Sequence, residues 1–472
     1  MLSFVPRIRH PDRHGKVSTM LKKMILWVLL IFVGHGAGAT EVVEYQLDNG
    51  LKILVKTDHR APVVVSQIWY KVGSSYEYSG ITGISHILEH MMFKGTERFP
   101  PGEFSRIIAA NGGRENAFTG RDYTAYYQQL EKSRLKVSFE MEADRMRNLA
   151  LTEKEARKEI QVVAEERRLR VEDRPQQLAV EHFTATAFIN GPYQHPVIGW
   201  MDDILNTTLD DLKNWYQTWY APNNATLVVV GDVDPPAVLE LARQYYGPVQ
   251  PGEIPKVKPR REVEQKGMRR LIVKAKAELP LLVMGWKVPV VRTASEPWEP
   301  YALDVLGEIL DGSQGARFSQ RLVRGQEIAA STDVSYNLFS RHDGLFTIDA
   351  VPAAQHSVTE LEAAIREQIE QLRKTPPTDD ELARVKAQTI AAKVYEQDSV
   401  FYQAMILGTL ATVGLDWRLS DQYAENISKV TAQQVQEVVK KYFIDDALTV
   451  GILEPQTMIT ASAARNDEES AP

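Results

Sequence analysis

Between Gly83 and Thr96 the chain reads GISHILEHMMFKGT, which sets His86, Glu89 and His90 at i, i+3 and i+4 in an otherwise apolar run. On a helix these three positions fall within an arc of about 100°. The two imidazoles then stand one above the other, close enough to share a metal ion, with a carboxylate beside them. The order H-x-x-E-H reverses H-E-x-x-H, in which the histidines take zinc and the glutamate stays free as a general base. A buried glutamate without a partner costs several kcal/mol, so Glu89 requires something to act on, such as an activated water.

A catalytic zinc usually has three protein ligands, and the chain has no cysteine. The third ligand must therefore be a histidine or carboxylate from another element. The segment Glu153–Asp173 is dense in acids, and helical phase sorts them. Glu159 and Glu166, seven residues apart, share a stripe with Val162 and Val163 that should face inward, whereas Glu165 is rotated about 100° towards solvent. Glu166 is the expected ligand. Glu159 is expected behind the ligands, orienting a histidine. Glu153, Lys154, Glu155, Arg157 and Lys158 read as a solvated face.

The elements that must carry these groups form two halves. A Pro- and charge-rich stretch, Pro248–Gly267, separates them and predicts a linker at 251–268. An N-terminal domain at 40–250 and a C-terminal domain at 269–460 follow, with a disordered tail at 461–472. TLDDLKNWYQTWY leading into ATLVVVGDVDP is matched by TAQQVQEVVKKYF leading into ALTVGILEP, with Thr208 and Thr431 as N-caps. APVVVSQIWYKVG and LPLLVMGWKVP form a second pairing, each before a helix. Aligning Gly95-Thr96 with Gly312-Ser313 sets Leu303, Leu306 and Gly307 opposite His86, Glu89 and His90, so the second half keeps the helix and lacks the polar trio. Strands and helices mix without strict alternation, which predicts an α+β fold of two similar halves, each a mixed, largely antiparallel sheet packed with helices.

The 472 residues carry a net charge of −7, and nothing in their distribution makes a nucleic-acid surface. Residues 1–39 read as an export signal: Lys22 and Lys23, an apolar run Met24–Val33, then Ala37-Gly38-Ala39 as a cleavage site near Ala39. This predicts a periplasmic protein, held to a membrane only if that segment is retained.

The sequence resembles the pitrilysin-type (inverzincin) zinc peptidases, in the branch of mitochondrial processing peptidase and its bacterial periplasmic relatives. The resemblance rests on His86, Glu89 and His90; FKGT at Phe93–Thr96; NGG and NAFT within Asn111–Tyr127; Glu159 and Glu166; Glu172–Pro175; and the PY.HP..G pattern of Pro192–Gly199. It covers essentially all of 41–456. It implies a clam-like chamber between two halves, one Zn2+ on His86, His90 and Glu166, and Glu89 activating water for peptide hydrolysis. A peptide would add as a strand along Asn116, Ala117 and Phe118. The family's Arg and Tyr, seven residues apart in the second half, are matched only by Arg324, with Ser331 where Tyr would stand. Either Tyr336 substitutes, or a zinc-less homologous subunit in a dimer supplies the pair. An inactive scaffold subunit is the alternative reading.

Overall fold

Val63–Tyr70 (VVVSQIWY) and Leu281–Val288 (LLVMGWKV) are apolar on both faces, as strands covered on two sides must be, and both are buried along nearly their whole length. They are the central strands of two sheets. The computed structural model describes residues 42–456, and from Val43 onward the chain belongs to one compact unit. The expected leader and the tail from 461 lie outside the described residues.

The first sheet contains β1 (Val42–Gln46), β2 (Lys52–Thr57), β3 (Val63–Tyr70), β4 (Arg114–Thr119), β5 (Thr124–Glu131) and β6 (Ala225–Gly231), in the order β1-β2-β6-β3-β5-β4. The second contains β7 (Arg269–Ala275), β8 (Leu281–Val288), β9 (Ala329–Ser335), β10 (Gly344–Pro352) and β11 (Leu448–Pro455), in the order β7-β11-β8-β10-β9. From β2 onward the two orders correspond strand for strand. The pairs β2/β6 and β7/β11 are parallel, and β6/β3, β3/β5, β5/β4, β11/β8, β8/β10 and β10/β9 are antiparallel. The architecture is α+β, in two similar halves.

Local chemistry repeats as well. Helices Leu209–Trp219 and Ala432–Tyr442 both start in a capping box, built on Thr208 with Asp211 and on Thr431 with Gln434. Each passes through a short turn into the parallel strand of its sheet. The helix after β8, Glu299–Asp311, buries Leu303 and Leu306 in the apolar core where the first half sets His86 and Glu89.

Each half also lends a helix to the other's sheet. Pro175–Ala187 lies on β7, β8 and β11, and Val400–Val413 lies on β3 and β6. Close approach at both seats depends on glycine. A Cβ on Gly285 would come within 2.7 Å of Phe183, and one on Gly408 within 2.0 Å of Trp69. A polar clasp joins the halves nearby. Arg60 donates to Asp58 from Nε at 2.9 Å and to Asp398 from Nη1 at 2.8 Å, while Gln403 donates to Asp58 at 3.1 Å.

Residues 251–266 form neither helix nor strand, yet they are tied to the first half. Glu262 accepts the backbone N–H groups of Ile189, Asn190 and Gly191, and Arg260 donates to the carbonyls of Ser75 and Glu77.

Candidate metal centre

Ile84–Met91 is a helix that buries Ile84, Ile87, Leu88 and Met91 and leaves the edge carrying His86, Glu89 and His90 to face a cavity. Its first turn is held by the buried Glu77, whose carboxylate accepts from Gly83 N at 2.7 Å and Ser85 N at 2.9 Å. Those are backbone donors that a helix start leaves without intrahelical partners. The opposing helix, Glu153–Arg167, is capped by Thr152 and carries Glu159 and Glu166.

The structure brings His86, His90 and Glu166 together: one ligand atom from each lies within 4.8 Å of the others. Glu166 Oε2 stands 3.3 Å from His90 Nε2 and 3.7 Å from His86 Nε2. Two ligands each about 2.1 Å from a tetrahedral ion stand about 3.4 Å apart, so these separations are those of two edges of a zinc tetrahedron. Burial and the neighbouring His90 push the His86 pKa down to about 4, which leaves its imidazole neutral and able to donate a lone pair. Contact with His90 keeps the Glu166 carboxyl below its ordinary range despite burial, with help from His86 and Arg170. For His90 burial works downward, but the Glu166, Glu89 and Glu159 carboxylates outweigh it and raise the pKa. The donor set and its spacing fit zinc.

Behind the ligands, Glu159 Oε2 faces His90 Nδ1 at 3.4 Å while its other oxygen pairs with Lys94 Nζ at 2.6 Å. Glu159 thus stands where helical phase placed it. His86 Nδ1, in contrast, is buried without a partner among the described residues. Glu89 lines the same cavity, its carboxylate accepting from Thr119 Oγ1 at 2.5 Å. Burial pushes its pKa up, against the Thr119 bond.

The cavity measures about 1190 Å³ and is lined only by residues between His86 and Ile198, all from the first half. Asn116, Ala117 and Phe118 lie along its wall on β4, the last strand of its sheet. Their partners on β5 are Tyr127, Tyr126 and Ala125, and among the described residues no strand pairs with the other edge of β4. Neither Arg324 nor Tyr336 lines the cavity. Arg324 is exposed and donates to Gln314 O at 3.0 Å, and the Tyr336 hydroxyl donates to Pro289 O at 2.6 Å.

One expectation needs correction. Val162 is not turned inward: it is 47% exposed and lines the cavity, while Val163 alone packs into the core. Val163 is i+4 from Glu159 and continues its inward stripe, whereas Val162 is i−4 from Glu166 and shares the cavity-facing flank. Three contributors were given no role from the sequence: Lys94 and Thr119, which stand inside the FKGT and NAFT motifs, and Arg170, which pairs with Glu166 Oε1 at 2.8 Å. Spacing held a signal for each. Lys94 is i+4 from His90, Arg170 is i+4 from Glu166, and Thr119 is i+2 from Ala117 on the same strand face.

Residues 52–200 match the family described as insulinase (peptidase family M16), and residues 206–389 match the peptidase M16 inactive domain. The zinc protease PqqE of Helicobacter pylori is 30% identical over 436 residues, covering 91% of this chain and 97% of that protein. The probable mitochondrial-processing peptidase subunit beta of Arabidopsis thaliana is 24% identical over 468 residues, covering 96% of this chain and 84% of that protein. The crystal structure of a protease from Helicobacter pylori superimposes with a TM-score of 0.84 at 29% identity, covering 88% of this chain and 100% of that one.

Proposed function

Because the chain belongs to the peptidase M16 family of insulinase- and pitrilysin-type proteins, we propose that it is a zinc-dependent endopeptidase hydrolysing unfolded peptides or short protein segments. The observation that carries this reading is the His86–His90–Glu166 cluster, with Glu89 beside it, in a cavity walled by an edge strand.

Zinc held by these three residues supplies a Lewis acid that polarises a peptide carbonyl and acidifies water. Glu89 takes the proton of the attacking water and passes it to the departing amine. Its hydrogen bond from Thr119 keeps the carboxylate aimed into the cavity. Glu159, anchored by Lys94, fixes the His90 ring. The outer edge of β4 takes the peptide as an added strand, so recognition runs mainly through the main chain.

The Arg/Tyr pair that would hold the oxyanion is assigned to a homologous, zinc-less partner in a dimer. Tyr336 is engaged at Pro289, and a missing oxyanion donor costs about 10²–10³ in rate. Export to the periplasm is assigned on the N-terminal Lys-flanked apolar segment. Among the described residues, no helix is long and apolar enough to cross a membrane.

Glu89→Gln, purified with the partner, is expected to retain zinc and lose cleavage of quenched-fluorescence peptides. Wild-type turnover by that variant would refute the assignment of the base. His86→Ala and Glu166→Gln are expected to lose zinc by elemental analysis. A wild-type protein that binds zinc and peptide but cleaves nothing, with or without the partner, would make the chain a binding subunit instead.

A further inference from the structure

Every carboxylate lining the cavity is engaged. Glu89 takes Thr119, Glu166 takes the histidines and Arg170, Glu165 pairs with Arg168, and Glu181 is held by two bonds from Arg167 at 2.8 and 2.7 Å. Arg121 also lines the cavity, and among the described residues no acceptor lies within hydrogen-bond or ion-pair distance of its guanidinium, Asp122 acting on it only from farther off. The guanidinium lies over the ring of Tyr193, 5.3 Å from its centroid. That ring is fixed: the Tyr193 hydroxyl donates to Asp122 at 2.5 Å and accepts from the backbone N–H groups of Arg341 and His342. Asp122, next in the chain, is used up by Tyr193, by Ser75 Oγ at 2.7 Å and by Arg341 N at 3.1 Å.

Arg121 is half-buried, and a guanidinium cannot shed its proton, so an unpaired arginine in the cavity wall on a rigid aromatic floor is a prepared seat for an anion. Its position names the anion. Arg121 follows Thr119 by two residues, and Thr119 contacts the Glu89 carboxylate. β4 ends at Thr119 and Arg121 lies in the turn that follows; two residues reach at most about 7 Å, so a peptide running along β4 past Glu89 meets Arg121 within about two or three residues of the cleaved bond.

We propose that Arg121 forms a subsite for a carboxylate of the bound peptide, either an acidic side chain or a terminal carboxylate a few residues from the scissile bond. The subsite rests on the peptidase reading above. A main-chain-bound peptide leaves side-chain preference unspecified, and this single cation supplies one.

The test uses the zinc-loaded enzyme, with its partner where turnover requires it, and quenched-fluorescence peptides identical except for Asp, Asn or Lys walked through three positions on each side of the cleaved bond. A second pair differs only in a free or amidated C-terminus. The wild type is expected to favour Asp over Asn by about tenfold in kcat/KM at one position. Arg121→Gln is expected to abolish that ratio, Arg121→Lys to keep part of it, and Arg121→Glu to favour Lys. Because the ratio is read within one variant, partial unfolding cannot produce it. A preference carried by the free C-terminus instead, and lost in Arg121→Gln, supports the terminal-carboxylate form. Anisotropy of labelled peptides on Glu89→Gln repeats the comparison without turnover. Peptides that bind or are cleaved with no carboxylate preference overturn the subsite alone; failure to bind or cleave any peptide overturns the peptidase reading and the subsite together.

Discussion

Replacing Gly408 with alanine tests how the second half is seated on the sheet that carries the site. The added Cβ would stand 2.0 Å from Trp69 Cε2 and 2.2 Å from Nε1. An ordinary contact begins at 3.4 Å, so ring or helix must yield by about 1.4 Å in a close-packed interior. The ring has little freedom: it is fully buried, donates from Nε1 to Gln67 at 2.9 Å, and meets Phe118 and Tyr123 edge-on with centroids 5.2 and 4.9 Å away. Overpacking of this kind costs about 1–3 kcal/mol, and straining the Trp69 hydrogen bond adds about 1 kcal/mol. The alanine returns about 1 kcal/mol of helix propensity, leaving a net loss of about 1–3 kcal/mol. Gly307→Ala, also inside a helix, is the control, because its Cβ would meet nothing nearer than Val334 Cγ1 at 3.6 Å. It is expected to stabilise by about 0.5–1 kcal/mol. Thermal unfolding of the two variants should therefore move in opposite directions. Trp69 supports Phe118 on β4, so Gly408→Ala should also raise KM for peptide more than it lowers kcat. If Gly408→Ala melts at or above the wild-type temperature, helix Val400–Val413 is not seated on Trp69 as described.

Three further outcomes are expected. Glu159→Gln should weaken zinc binding by about 10- to 100-fold, the usual consequence of losing a carboxylate behind a ligand histidine, while activity at saturating zinc largely survives; chelator competition showing wild-type affinity would contradict its role. Bonds from Arg60 hold the Asp58 pKa at about 2, against about 3.9 in the unfolded chain. A depressed carboxyl stabilises above the unfolded pKa, so the clasp contributes at most about 3 kcal/mol above pH 4 and loses it as the pH falls through 2; Asp58→Asn should flatten this acid dependence in urea titrations, and an unchanged slope would argue against it. Tyr336→Phe removes a hydroxyl bound to Pro289 O and should leave kcat within about twofold at a stability cost near 1 kcal/mol; a hundredfold fall in kcat would put Tyr336 in the reaction and remove the need for a partner's tyrosine.

The site was more legible than the packing around it. His86, Glu89 and His90 are neighbours through one helical turn, and Glu159 and Glu166 through two, so periodicity alone aligned them. Lys94 and Arg170 obey the same i+4 rule, but a single lysine or arginine at that offset is too common on charged helices to stand out. The misplaced Val162 shows the limit of a helical wheel. Phase says which residues share a flank, but whether that flank meets core or cavity depends on what packs opposite.

Composition and pattern were enough to specify two α+β halves, their capped helices, and a helix bearing metal-type ligands in one half and leucines in the other, because each of these is written in contiguous residues. The exchange of helices between sheets, the Glu262 tether, and the unpaired Arg121 over Tyr193 came only from the folded chain. These are contacts between residues far apart along the chain, and their energies depend on distance and burial, which no local pattern encodes.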